Sequence, residues 1–157
     1  MQSRLIFIIF LTITVNAQSE VELLNKSDLE KLISKREGKI LVLNIWATWC
    51  IPCREEIPDL IELQRKYSKD IDVVGISVDF PDEVEKRILP FIKQQNIRYK
   101  MFVNNMKDED LINFFNVKWN GAVPASFIYE KTGKLTLFME GKKSLKDFEG
   151  IIKELIM

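Results

Sequence analysis

Trp46-Ala47-Thr48-Trp49-Cys50-Ile51-Pro52-Cys53 holds the only two cysteines of this 157-residue chain. Two thiols three positions apart, with no third anywhere, admit four readings: half a zinc site, a structural staple, a redox couple or coincidence. A staple is weak, because closing so short a loop removes little entropy from the unfolded chain. Structural zinc takes four ligands, most often Cys and His. With two Cys and no His, one chain lacks half the donors, and a four-cysteine site shared between two chains is left open. The redox couple needs nothing more than what is present.

The N-terminus bears on compartment. Arg4 precedes an apolar run from Leu5 to Val15, and Val15-Asn16-Ala17 ends in the small-residue pattern of a signal peptidase site. A run this short, at about 1.5 Å per residue, cannot cross a hydrocarbon core of roughly 30 Å. Residues 1–17 therefore read as a cleaved signal peptide, with an uncleaved anchor as the weaker alternative, and residues 18–157 as one domain that is periplasmic or secreted. No cysteine sits at the cleavage point, so lipid is not attached there. Lys plus Arg and Asp plus Glu each number 23, a balance that points to neither nucleic acid nor an anionic membrane surface. Oxidising compartments let disulfides persist.

Ile40–Trp46 is a nearly continuous apolar run, as expected of a strand buried on both faces. Ser27-Asp28-Leu29-Glu30 has the form of a capping box opening a helix that stops near Gly38. After the cysteines, Ile57, Leu60, Ile61, Leu63 and Tyr67 recur at helical spacing. Val73–Val78 reads as a second buried strand. Val84, Ile88, Phe91 and Ile92 mark one face of a helix bent at Pro90. Tyr99–Val103 reads as a short strand and Asp108–Phe115 as a short helix. Ser126–Tyr129 and Leu135–Met139 form a hairpin whose turn places Gly133 where positive φ is needed. Leu145, Phe148, Ile151, Ile152, Leu155 and Ile156 make the last helix amphipathic. This order implies a layered α/β domain with helices on both faces of a sheet.

Cys50 falls where the first core strand hands over to a helix. Pro52 in the first turn costs little, because its missing N–H would have had no intrahelical partner. The free amides there, and the positive end of the macrodipole, favour a thiolate at Cys50, the attacking species in disulfide exchange. Cys53, one turn along, is placed to attack the resulting mixed disulfide.

The segment Asn44–Pro58 resembles the active-site stretch of the thioredoxin superfamily. It is most similar to the TlpA/ResA branch of exported thiol–disulfide oxidoreductases. Gly121–Ile128 resembles that family's cis-proline loop and following strand, Lys131–Lys134 its hairpin, and the stretch between Asp82 and Asn116 the branch's insertion. The resemblance covers residues 29–157 and implies a thioredoxin-like α/β fold, a central mixed β-sheet with helices on both faces. It implies a cis bond at Pro124, peptide pairing by the Val123 backbone, and an apolar docking surface at Trp49 and Ile51. Trp119 is better read as core, and Lys69, Asp70, Lys142 and Lys143 as ordinary surface charge. Two departures stand out. The N-terminal hairpin of many members is missing or truncated here, since 18–39 reads as mainly helical. Asn44 stands where thioredoxin has a buried Asp, with Glu56 three residues after the second cysteine, as is common in this branch. Glu56 is thereby assigned acid–base support for Cys53.

The resemblance implies reduction of disulfides in exported proteins by Cys50 and Cys53, with no cofactor or metal. A membrane thiol donor would recharge the dithiol, cytochrome c maturation is one pathway, and a monomer is expected. Two other classes are weighed: a peroxiredoxin-like thiol peroxidase, and a client-binding module without catalysis.

Overall fold

The structure is a computed structural model that describes residues 21–157; the signal-peptide assignment lies outside them. Six strands form one mixed sheet in the order β1-β4-β3-β2-β5-β6. They are β1 Glu22–Leu24, β2 Ile40–Trp46, β3 Ile71–Ser77, β4 Lys100–Asn104, β5 Ala125–Tyr129 and β6 Leu135–Glu140. Strands β1 to β4 run parallel, whereas β5 and β6 are antiparallel to their neighbours. The helices are α1 Lys26–Ser34, α2 Ile51–Lys66, α3 Leu89–Gln95, α4 Asp108–Phe114 and α5 Leu145–Ile156.

Strand β2 is buried along its whole length, which explains its unbroken apolar run. Alternation sends Ile40, Val42 and Trp46 to one core with Ile57, Leu60 and Leu63 of α2 and Phe148 and Ile152 of α5. Leu41, Leu43 and Ile45 face the other core with Leu29 of α1, Leu111 of α4 and Phe127 of β5. Each such side chain, fully buried, contributes roughly 1.5–3 kcal/mol. Helices therefore cover both faces, as the pattern implied.

Three expectations are corrected. The stretch 18–39 is not mainly helical where it is described: Glu22–Leu24 is an edge strand paired parallel with β4. Three residues are too short for an alternation to register. Helix α1 opens at Asn25, whose side chain accepts from the Asp28 amide at 3.1 Å. The box beginning at Ser27 is displaced because the chain leaves β1 at Leu24 and must turn at once. The helix expected to bend at Pro90 is instead a 3₁₀ turn Pro81–Glu83, a π turn Val84–Ile88 and then α3. Pro90 has no N–H to donate to the preceding turn, and the Leu89 amide reaches five residues back to the Val84 carbonyl.

Two local devices complete the frame. Gly133 takes φ +85° in the β5–β6 turn, and a Cβ there would lie 2.8 Å from the Ile33 carbonyl oxygen. Strand β4 joins β3 only from Val74 onward, and the Gln64 side chain takes its place before that point. Gln64 accepts from the Val73 amide at 2.6 Å and donates to the Ile71 carbonyl at 3.4 Å. One side-chain amide thus closes an edge that would leave backbone groups unpaired. Among the described residues, no helix is long and apolar enough to cross a membrane.

Candidate active site

Strand β2 ends at Trp46 and its antiparallel neighbour β5 begins at Ala125. The loops 47–50 and 121–124 therefore meet at one end of the sheet. Cys50 is the N-cap of α2, bonded to Cys53 as a disulfide with Cα atoms 5.3 Å apart. The Cys53 amide donates to Cys50 Sγ at 3.2 Å, the contact expected to hold a thiolate once the pair is reduced. Cys50 Sγ lies 3.6 Å from the Val123 carbonyl oxygen, and the Val123–Pro124 bond is cis. Cys53 is 1% exposed, one turn inside Cys50. We expect the Cys50 thiol of Cys53→Ser to titrate below the ~8.5 of a free cysteine. Alkylation rate against pH measures it; a midpoint at or above that value would sink the helix-start argument.

Glu56 is not a surface charge. It is 1% exposed and held from two sides: Asn44 Nδ2 donates to Oε2 at 2.9 Å and the Lys143 amide donates to Oε1 at 2.8 Å. Burial pushes its carboxyl up to about 7, against the downward pull of the Lys143 and Asn44 hydrogen bonds. It lies three residues beyond Cys53 on α2, a spacing that puts both on one helix face. Asn44 also donates to Ser126 Oγ at 3.0 Å, its partner in the β2–β5 register.

Trp49 and Ile51 flank Cys50 and are 61% and 66% exposed, leaving two large apolar side chains in solvent beside the sulfur. Phe80, unforeseen, is 73% exposed. Trp119 is core, packed on Phe115 and Phe127, and its Nε1 donates to the Ala122 carbonyl at 2.8 Å. That bond anchors the loop just before Val123. Lys142 pairs at the surface with Glu55, but the Lys143 backbone, through Glu56, belongs to the site.

The sequence reading missed Asp79. This buried carboxylate accepts from the Thr48 amide at 2.8 Å, the Thr48 hydroxyl at 2.6 Å and the Ser77 hydroxyl at 2.5 Å. It pins the turn that delivers Cys50 to the helix start. Asp79→Ala strands three donors, and with about 1–3 kcal/mol for each buried donor left unpaired, partly relieved by water, a loss of about 3 kcal/mol is expected. Urea unfolding checks this, and a loss under about 1 kcal/mol would show that the clamp holds little.

A mixed sheet flanked by helices, with an N-capping cysteine disulfide-bonded one turn along and a cis-proline loop against it, defines a thioredoxin-fold protein with a dithiol–disulfide centre. The sequence profile of the AhpC/TSA family matches residues 14–138, and the chain belongs to that family. Thiol-disulfide oxidoreductase ResA of Bacillus cereus is 30% identical over 120 residues, covering 76% of this chain and 65% of its own length. This chain thus spans slightly under two thirds of such curated relatives. A thiol:disulfide interchange protein of Chlorobium tepidum TLS superposes with TM-score 0.65 at 31% identity, covering 78% of this chain and 83% of that one. A secreted disulfide oxidoreductase of Mycobacterium tuberculosis does so with TM-score 0.58 at 25% identity, covering 75% and 83%.

Proposed function

We propose that this protein is an exported thiol–disulfide oxidoreductase that reduces disulfides of other exported proteins. The observation that carries this is the Cys50–Cys53 pair at the start of α2, with the Cys53 amide directed at Cys50 Sγ. The Cys50 thiolate attacks one sulfur of the client disulfide, forming a mixed disulfide and releasing the first client thiolate. Cys53, losing its proton to Glu56, attacks Cys50 Sγ, forms the Cys50–Cys53 disulfide and releases the second client thiolate. Two electrons pass from protein to client, and both client thiolates take up protons. Trp49, Ile51 and the backbone of Val123 next to Pro124 receive the client. A membrane thiol donor returns two electrons, and the chain works as a monomer after its signal peptide is removed.

Reduction is favoured because Ile51-Pro52 places no histidine between the cysteines, and the names carried by the relatives agree with disulfide chemistry. The test is to express Cys53→Ser in the parent cells and isolate covalent partners. Client proteins released by a reductant are expected, with untrapped wild-type protein mostly in the dithiol form. A mostly oxidised wild-type pool would reverse the direction. No trapped protein, with fast peroxide consumption by Cys50 alone, would replace the assignment by a thiol peroxidase.

A further inference from the structure

Beside the cysteines, Thr48, Trp49, Arg54, Arg87, Pro90 and Phe91 line an open cleft of about 340 Å³. Two guanidinium groups enter it from different elements, Arg54 from α2 and Arg87 from the π turn. Among the described residues Arg54 has no ion pair. Its guanidinium lies 5.8 Å from the centre of the Phe91 ring, a stacking that orients a planar cation without neutralising it. A positive charge near the start of α2 also opposes the helix macrodipole, so local helix stability does not account for it. Arg87 is shared with Glu83 at 3.1 Å. Arg87, from the π turn, and Pro90, at the start of α3, both line the cleft. The exposed rings and alkyl groups of Trp49, Ile51 and Phe80 are apolar, and the only charged residues lining the cleft are the two arginines, of which Arg87 is partly neutralised by Glu83 and Arg54 is not.

We infer that this cleft selects clients carrying an aspartate or glutamate side chain close to the attacked cysteine, with Arg54 as the specificity-determining residue and Arg87 as its support. The inference rests on the disulfide-exchange reading and names the substrate class it would prefer. An extended segment whose sulfur sits at Cys50 runs past Trp49, and a carboxylate one or two residues from its cysteine enters between the two guanidiniums. Such a pair is partly solvated, so it steers encounter and adds modest affinity.

The experiment uses disulfide-linked peptide dimers, each peptide with one cysteine and with Glu, Gln or Lys two residues away. Both sulfurs of each dimer are then equivalent. Reduced protein should show kcat/KM in the order Glu, Gln, Lys, with Glu over Gln by about threefold to fivefold at low salt. The Glu-to-Gln ratio should fall to near one in Arg54→Gln and in wild type at 0.5 M salt, where screening acts within a few ångströms. Because the ratio is taken within each variant, any change in Cys50 reactivity cancels. Equal rates for Glu and Gln in wild type, or a preference unchanged in Arg54→Gln, would overturn the inference. A second arm separates this from failure of the redox reading. Titration of the tryptophan fluorescence of a Cys50→Ser/Cys53→Ser protein, in which Trp49 is the exposed one of three, with thiol-blocked peptides, should keep the Glu preference although no exchange can occur. If neutral 2-hydroxyethyl disulfide is not reduced by wild type yet the titration still prefers Glu, the redox reading fails and the cleft stands. If that disulfide is reduced and neither arm prefers Glu, the cleft assignment fails alone.

Discussion

Cys50→Ser is expected to lower disulfide exchange to the uncatalysed background, while Cys53→Ser still forms one bond to its substrate and then stops. The asymmetry follows from position. Cys50 caps α2 and receives the Cys53 amide at 3.2 Å, and at 5% exposed against 1% for Cys53 it is the more accessible of two largely buried sulfurs, so after reduction it is expected to be the attacking thiolate. Serine there has a hydroxyl of far higher pKa and leaves no attacking species at neutral pH. Loss of a catalytic nucleophile elsewhere costs about 10⁶ in rate, which sets the scale for Cys50→Ser. Cys53 is buried beneath Cys50, where a bulky disulfide cannot reach it, so it cannot take over the first attack. Its absence should leave the first step within about tenfold of wild type and extend the lifetime of the mixed disulfide indefinitely. Stopped-flow reaction with a protein disulfide, followed by non-reducing electrophoresis, reads both steps. A fast first step in Cys50→Ser would exchange the roles of the two cysteines.

Glu56→Gln should slow resolution of the mixed disulfide by about 100-fold while sparing the first attack. General acid–base contributions run to about 10²–10⁴-fold, and water can replace part of the loss here. The carboxyl is raised to about 7 by burial, so in wild type the base form appears as pH rises through that value. Resolution should accelerate across the same range and then level, and the variant should lack that inflection. Superimposable profiles would remove Glu56 from the chemistry.

The same shift reaches stability, with a definite sign. The folded-state value of about 7 lies above the ordinary 4.5, so the folded protein binds this proton more tightly than the unfolded chain. The contribution is fully present below pH 4.5 and is lost as pH rises through 7. At 1.36 kcal/mol per unit the change is about 3 kcal/mol. Urea unfolding of the oxidised protein at pH 5 and pH 8 should show most of that difference, about 2.5 kcal/mol, in wild type beyond whatever Glu56→Gln shows. Glutamine faces two donors, Asn44 Nδ2 and the Lys143 amide, and keeps both contacts only if the Asn44 amide turns over. Ser126 Oγ can accommodate the turn, because a hydroxyl both donates and accepts.

The thiol–disulfide pair of this protein was legible in eight residues, because its two sulfurs and the helix start are local. A nucleophile, a resolving thiol and a helix start lie within one turn, and helical spacing carries them from sequence to space without reference to the rest of the chain. The buried strands β2 and β3, the Gly133 turn and the amphipathic α5 were legible for the same reason, each set by a period of two or 3.6 residues or by one backbone requirement. Glu56 could be suspected only through its resemblance to a family, since a glutamate on a helix is ordinarily solvated. Its environment comes from Asn44 on β2 and from the Lys143 amide beyond β6, 12 and 87 residues away. Asp79 was invisible because its partners, Thr48 and Ser77, meet only when β2 and β3 pair. The opposed pair Asn44 and Ser126 left a faint signal, one polar residue in each of two apolar strands, but register alone brings them together. The cleft at Arg54 was likewise illegible, because Arg87 comes to it from the π turn before Pro90, 33 residues further along the chain. Local sequence determined which atoms would react in the proposed exchange; long-range packing decided the dielectric around them, the loop beside them and the charge lining the neighbouring cleft.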